Sequence, residues 1–234
     1  MSVTIPEERD ADQDTAFERW INDVRMTLPN VLEAVVRSEL ITTIEEFYRR
    51  AQPWLQELGP YPVNIDQREM KVNPVPDGDQ FVPEGMDPVD VQRVIYIKRA
   101  WFKGRQLSQA PFGGRSMERT GDSPVAFYCP YPDVIRFLPI PEKQHDDSLT
   151  ILAAIAPKNP QFFMPQMTWT HFYDVVLDGV LGRMMGHEAK PYANSEKSEF
   201  RLRRFKGNCQ RIRGEAEAGF TVAGVGWSFP RFGK

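Results

Sequence analysis

Three histidines, two cysteines and a run of arginines are the side chains of this 234-residue sequence whose types could do chemistry. His145-Asp146-Asp147 sets an imidazole beside two carboxylates, a donor set for a cation, but it falls in a polar stretch read as the turn between two strands. Solvated charge is the expected role there. Gly114-Arg115-Ser116-Met117-Glu118 lacks the second glycine of a nucleophile elbow and follows no clear strand. Gly224-Val225-Gly226 has no third glycine and opens no helix, so it is not a dinucleotide-binding loop. His171 sits among aromatic residues and is expected to pack or cap. His187 follows Gly186 at a helix end, where an imidazole can meet the last carbonyls. Cys129 and Cys209 are far apart in sequence and without paired ligands, which argues against a disulfide framework or a zinc site. Both are expected as buried thiols. With no nucleophile, metal or phosphate constellation, the reading is of a non-enzymatic protein with no cofactor and no metal.

The chemistry that remains is electrostatic. The net charge is only −3, yet it is unevenly spread. Up to Leu58 the acids, from Glu7 and Glu8 to Glu46 and Glu57, outnumber the arginines two to one. Near the other end Lys197, Arg201, Arg203, Arg204, Lys206, Arg211 and Arg213 are opposed within their own run only by Glu199. A dipolar chain of this kind suits ordered contacts between different surfaces of neighbouring molecules.

The elements that must carry these charges can be read from apolar spacing. With 41% apolar residues the chain can fill an ordinary core, and no stretch is long and apolar enough for a membrane span. Residues 1–14 are polar and expected to be flexible. A capping box, Thr15-Ala16-Phe17-Glu18, predicts the start of a first helix with Phe17, Trp20, Ile21, Val24 and Leu28 on its apolar side. After Pro29-Asn30 a second helix is expected through Leu55, kinked at Pro53 and roughly 35 to 40 Å long. Residues 59–161 change period from 3.6 to 2. Val91 to Trp101, a turn at Lys103-Gly104-Arg105, a hairpin of Val125–Tyr128 with Val134–Leu138, and a closing strand at 149–155 predict an antiparallel sandwich or barrel.

Helices are expected to resume at Pro165, as a first helical residue. One central buried helix should carry Trp169, Phe172, Val176, Val180, Leu181 and Met184. Its Gly179, Gly182 and Gly186 leave a groove for another backbone, at about 1 kcal/mol of helix propensity each. The last helix should start at Asn194-Ser195, with Leu202, Phe205, Cys209, Ile212 and Ala216 as a narrow seam. Lys197, Arg201, Arg204 and Arg211 flank that seam. Beyond Gly219 the segment 219–234 cannot be helical, and Phe220, Trp227, Phe229 and Phe232 call for a partner surface. The reading is thus α+β: an antiparallel helix bundle (15–58 and 162–218), an inserted β domain and an extended C-terminal arm.

Five phrases in this order resemble the head-to-tail adaptor (tail tubular, or head completion connector) proteins of tailed bacteriophages. They are Phe47-Tyr48-Arg49-Arg50-Ala51-Gln52-Pro53-Trp54, the strand opening Gly121 to Tyr128, Leu138-Pro139-Ile140-Pro141, Asp178-Gly179-Val180-Leu181-Gly182, and Pro191-Tyr192-Ala193-Asn194. The resemblance spans about Val31 to Gly219 and leaves out the aromatic tail. It implies a virion structural protein at the head–tail junction, made in the host cytoplasm. It further implies a dodecameric ring that binds the portal protein, meets the tail nozzle or tube protein, and encloses the passing double-stranded genome without inserting in a membrane. On this reading Lys197, Arg201, Arg204 and Arg211 meet acidic surface on the portal or a neighbouring subunit. Phe220, Trp227, Phe229, Arg231 and Phe232 form an arm, disordered in the free subunit, that is buried on assembly. Two other classes are open on the residues alone: a hydrolase of the bacterial wall, and a DNA-binding protein using the Arg-rich helix.

Overall fold

A computed structural model describes residues 7–74, 91–111, 119–161, 164–188 and 190–220. The chain is mixed α+β, with five helices among the described residues. They are α1 (Glu7–Thr27), α2 (Glu33–Ala51), α3 (Gln166–His171), α4 (Tyr173–Met185) and α5 (Ser195–Glu217). Helix α1 begins about two turns before the expected capping box. Helix α2 stops earlier than expected: Gln52 turns to the left-handed region at φ 47, its N–H bonds Tyr48 O, and Leu55 belongs to a strand. The single helix expected after Pro165 is two, broken at Phe172, and Pro165 is the cap rather than the first helical residue.

The described residues also form ten strands, in chain order β1 (Leu55–Val63), β2 (Glu69–Lys71), β3 (Gln92–Phe102), β4 (Arg105–Gln106), β5 (Ser108–Gln109), β6 (Thr120–Gly121), β7 (Ala126–Tyr131), β8 (Val134–Leu138), β9 (Ile140–Pro141) and β10 (His145–Pro157). Four make an antiparallel sheet in the order β1-β10-β3-β4, and four another in the order β2-β8-β7-β5, with β5 parallel to β7. The pair β6-β9 is also parallel. Among the described residues none of the sheets closes into a barrel, so the barrel alternative is set aside. Lys103 and Gly104 take φ 49 and φ 75, the paired positive angles of the tight turn that joins β3 to β4. The expected hairpin is β7-β8. The closing strand is longer than expected and includes His145-Asp146-Asp147, which is therefore strand rather than turn.

A continuous core runs from α1 through both four-stranded sheets to α5. Helix α1 joins α4 through Trp20, which stacks on Tyr173 at 5.1 Å and donates from Nε1 to its carbonyl oxygen at 3.1 Å. The Tyr173 hydroxyl donates to Asp23 at 2.7 Å, and Arg19 lies 4.5 Å above the same ring.

The expected groove of glycines is filled from within the chain. A Cβ on Gly179 would stand 2.6 Å from Thr43 Cγ2 of α2 and 2.9 Å from the Phe205 ring of α5. One on Gly182 would stand 2.9 Å from Leu202, and Ser198 Oγ donates to the Gly182 carbonyl at 2.6 Å. Gly207, on α5, has open space around the same position. The two substitutions therefore differ in sign. Gly179→Ala is expected to lose about 1 to 3 kcal/mol by overpacking, whereas Gly207→Ala should gain about 0.5 to 1 kcal/mol by helix propensity. Urea midpoints at constant slope check both.

Candidate interaction site

Helix α5 carries the basic residues that the sequence singles out. Asn194 caps it, accepting from Lys197 N–H at 2.9 Å. Phe205, Cys209, Ile212 and Ala216 are buried as expected, with Leu202 half-buried at the seam's start. The four expected contact residues then separate into two pairs. Arg201 Nη1 donates to Asp178 Oδ1 at 2.7 Å, and Arg204 Nη2 reaches Oδ2 at 3.2 Å, close enough for an ion pair but without hydrogen-bond alignment. Asp178 is only 4% exposed, in the middle of α4. Lys197 and Arg211 instead face solvent. Among the described residues Lys197 makes no ion pair, while Arg211 pairs with Glu215 one turn on at 2.7 Å.

Asp178 is the ion-pair partner that the sequence reading does not single out. Its signal is a carboxylate between Leu177 and Gly179 at the centre of an apolar helix, where a buried charge calls for a partner. Phe220 stands where the described chain ends, 47% exposed, with its ring 6.5 Å from Phe172 and its N–H on the Glu215 carbonyl at 2.8 Å. Trp227, Phe229, Arg231 and Phe232 lie outside the described residues.

A second charged cluster joins α2 to α4. Glu46, 9% exposed, receives hydrogen bonds from Arg50 and Arg183; Arg183 also lies 3.9 Å from Glu39, and His187 Nε2 lies 3.4 Å from that same Glu39. Burial pushes the Glu46 carboxyl up, but the hydrogen bonds and charges of Arg50 and Arg183 outweigh it and hold the group below the usual value of 4.5. A folded value below the unfolded one stabilises the fold above pH 4.5, and that contribution is lost as pH falls through the folded value. The melting temperature is therefore expected to drop on acidification below about pH 4.5, and Glu46→Gln should flatten part of the drop. An identical pH profile in the variant would remove Glu46 from the account.

Beside this cluster a cleft of about 420 Å³ is lined by Glu45 and Arg49 of α2, Arg93 to Tyr96 of β3, Pro132 and Arg183. Glu45 and Arg93 face each other there at 3.5 Å. The remaining chemistry is sparse. Burial pushes the Cys209 thiol up to about 12 and the half-buried Cys129 thiol to about 11, so neither is a ready nucleophile. His171 is exposed, its ring 6.4 Å from Phe172. His145 packs on Phe102 at 5.0 Å with Nε2 2.9 Å from the Asp122 carbonyl, and Asp146 and Asp147 are exposed. Among the described residues no three His, Cys, Asp or Glu side chains converge on a common point, and no helix is long and apolar enough to cross a membrane.

Compared with known protein families and with characterised proteins, the chain matches none. What the α5 surface can do follows from its own residues. Arg201 and Arg204 neutralise a buried carboxylate from their inner ends, and Lys197, Arg203, Lys206 and Arg211 present positive charge outward.

Proposed function

We propose that the chain is a structural subunit of a virion, a head-to-tail adaptor that forms a ring below the portal, extends the DNA channel and joins the capsid to the tail nozzle or tube. In this reading α1, α2, α4 and α5 are the antiparallel bundle, the two four-stranded sheets are a sandwich inserted between α2 and α3, and the residues after Gly219 are the extended arm. The observation that carries the proposal is the split on α5. One helix is fixed to the core through Asp178 while its outer residues, Lys197 and Arg211, face solvent, as does Phe200 of the same helix. That is a docking surface for an acidic partner rather than a reaction centre.

Native mass measurement and negative-stain imaging of the purified protein, alone and with portal rings, test it. Ring-shaped particles, or attachment to portal rings by a subunit that is monomeric alone, are the expected results. A strict monomer that ignores portal rings would overturn the reading. Binding of duplex DNA with a log-linear loss of affinity in salt would favour the DNA-binding alternative instead. That alternative would use the same helix, on which Arg201, Arg203, Arg204, Arg211 and Arg213 already have carboxylate partners.

A further inference from the structure

Strand β3 is bonded to β10 from Gln92 to Phe102, but among the described residues strand pairing on its other side is confined to its end. Trp101 and Phe102 pair with β4, and the Ala100 carbonyl accepts from Leu107 N–H at 2.8 Å. Among the described residues no strand pairs with Arg93–Arg99 on that side. Alternate N–H and C=O groups of this stretch point away from the sheet, and such an edge is a template for one more strand. Tyr96, 44% exposed, and Ile95 stand there, with the 420 Å³ cleft opening alongside.

The chain's own C-terminal segment has the complementary pattern. Ala223, Val225, Trp227 and Phe229 alternate with Gly224, Gly226 and Ser228, which is the period of a strand with one apolar and one small face. Pro230 then ends it, as a proline ends a ladder. At ~3.3 Å per residue, 223–229 reach about 23 Å, the same as the seven residues of the open stretch of β3. Helix α5, which precedes that segment in the sequence, ends beside β3. Glu217 of α5, just ahead of Phe220, is paired with Lys98 of β3 at 2.9 Å.

We propose that residues 223–229 add as a strand to the open edge of β3, on an adjacent copy of the chain. The choice of an adjacent copy rests on the ring reading above; the edge and the strand do not. Strand addition would bond the backbone groups that β3 leaves outward and would set apolar arm residues toward Tyr96 and the cleft.

Hydrogen exchange of the β3 amides in full-length protein tests this. In assembled protein, exchange over Arg93–Arg99 is expected to be about tenfold or more slower than in the full-length variant Val225→Pro, which removes an N–H from the arm. Val225→Ala keeps that N–H and should keep most of the protection. Dilution to monomer should abolish protection in the wild type. A synthetic peptide of residues 220–234 added to Val225→Pro protein should restore it. Equal exchange in wild type and Val225→Pro, or no effect of the peptide, overturns the proposal. Protection that persists in the diluted monomer overturns the adjacent copy and puts the arm on its own edge. If no particles form even with portal rings, the ring reading has failed separately, and the peptide result alone then supports or overturns the edge.

Discussion

Replacing Arg201 and Arg204 together by alanine is expected to cost the fold about 3 to 5 kcal/mol, whereas Asp178→Ala alone should cost about 1 to 2 kcal/mol. The asymmetry follows from where each charge can go. Without the arginines, the Asp178 side chain, 6% exposed, is left as a buried carboxylate with no cation. Without Asp178, Arg201 and Arg204 are 28% and 52% exposed and can turn their guanidinium groups to water. Adding Asp178→Ala to the double variant should therefore recover most of the lost stability, a coupling that chemical denaturation of the full cycle measures. Equal losses for the aspartate and the arginine variants, or no recovery in the triple, would show that the pair is peripheral.

How much of this was legible depended on whether local rules or tertiary packing decided each residue. Helix α5 was readable because its cap and its buried residues at spacings of three and four are both local signals. The β3-β4 turn and the β7-β8 hairpin were readable for the same reason, since Gly104 and Pro132-Asp133 leave the chain few alternatives. The start of α1 was missed because residues 7–14 show no apolar period, although acids at a helix start are favoured by the dipole and a packed second half can hold the first. The end of α2 was overrun because Pro53 was read as a kink, while its main effect is to exclude ordinary helix at Gln52. The break at Phe172 was invisible: it serves a ring buried against Phe47 at 5.4 Å, a contact across more than half the chain. The basic face was legible as composition only. Which arginines look inward depended on Asp178, a single residue on another helix.

That division fixes which charges can report on docking. Reversing Arg201 or Arg204 would set new carboxylates against Asp178 and confound binding with folding, so the informative pair is Lys197→Glu with Arg211→Glu. Both side chains are exposed. Lys197 lies in the first turn of α5, where a carboxylate suits the helix dipole, and Arg211→Glu exchanges an exposed pair with Glu215 for a repulsion one turn away, each a few tenths of a kcal/mol. The isolated subunit should keep its stability within about 0.5 kcal/mol. Docking should respond far more strongly. An exposed pair contributes ~0 to 1 kcal/mol, but the proposed ring would repeat each loss in every subunit, so attachment to portal rings is expected to fall by two orders of magnitude or more. Each single reversal should be mild, and wild-type docking should itself weaken with added salt, because these charges are screened. Sedimentation of portal rings with bound subunits reads all of these. Undiminished docking by the double variant at physiological salt would show that the outer charges of α5 are not the contact.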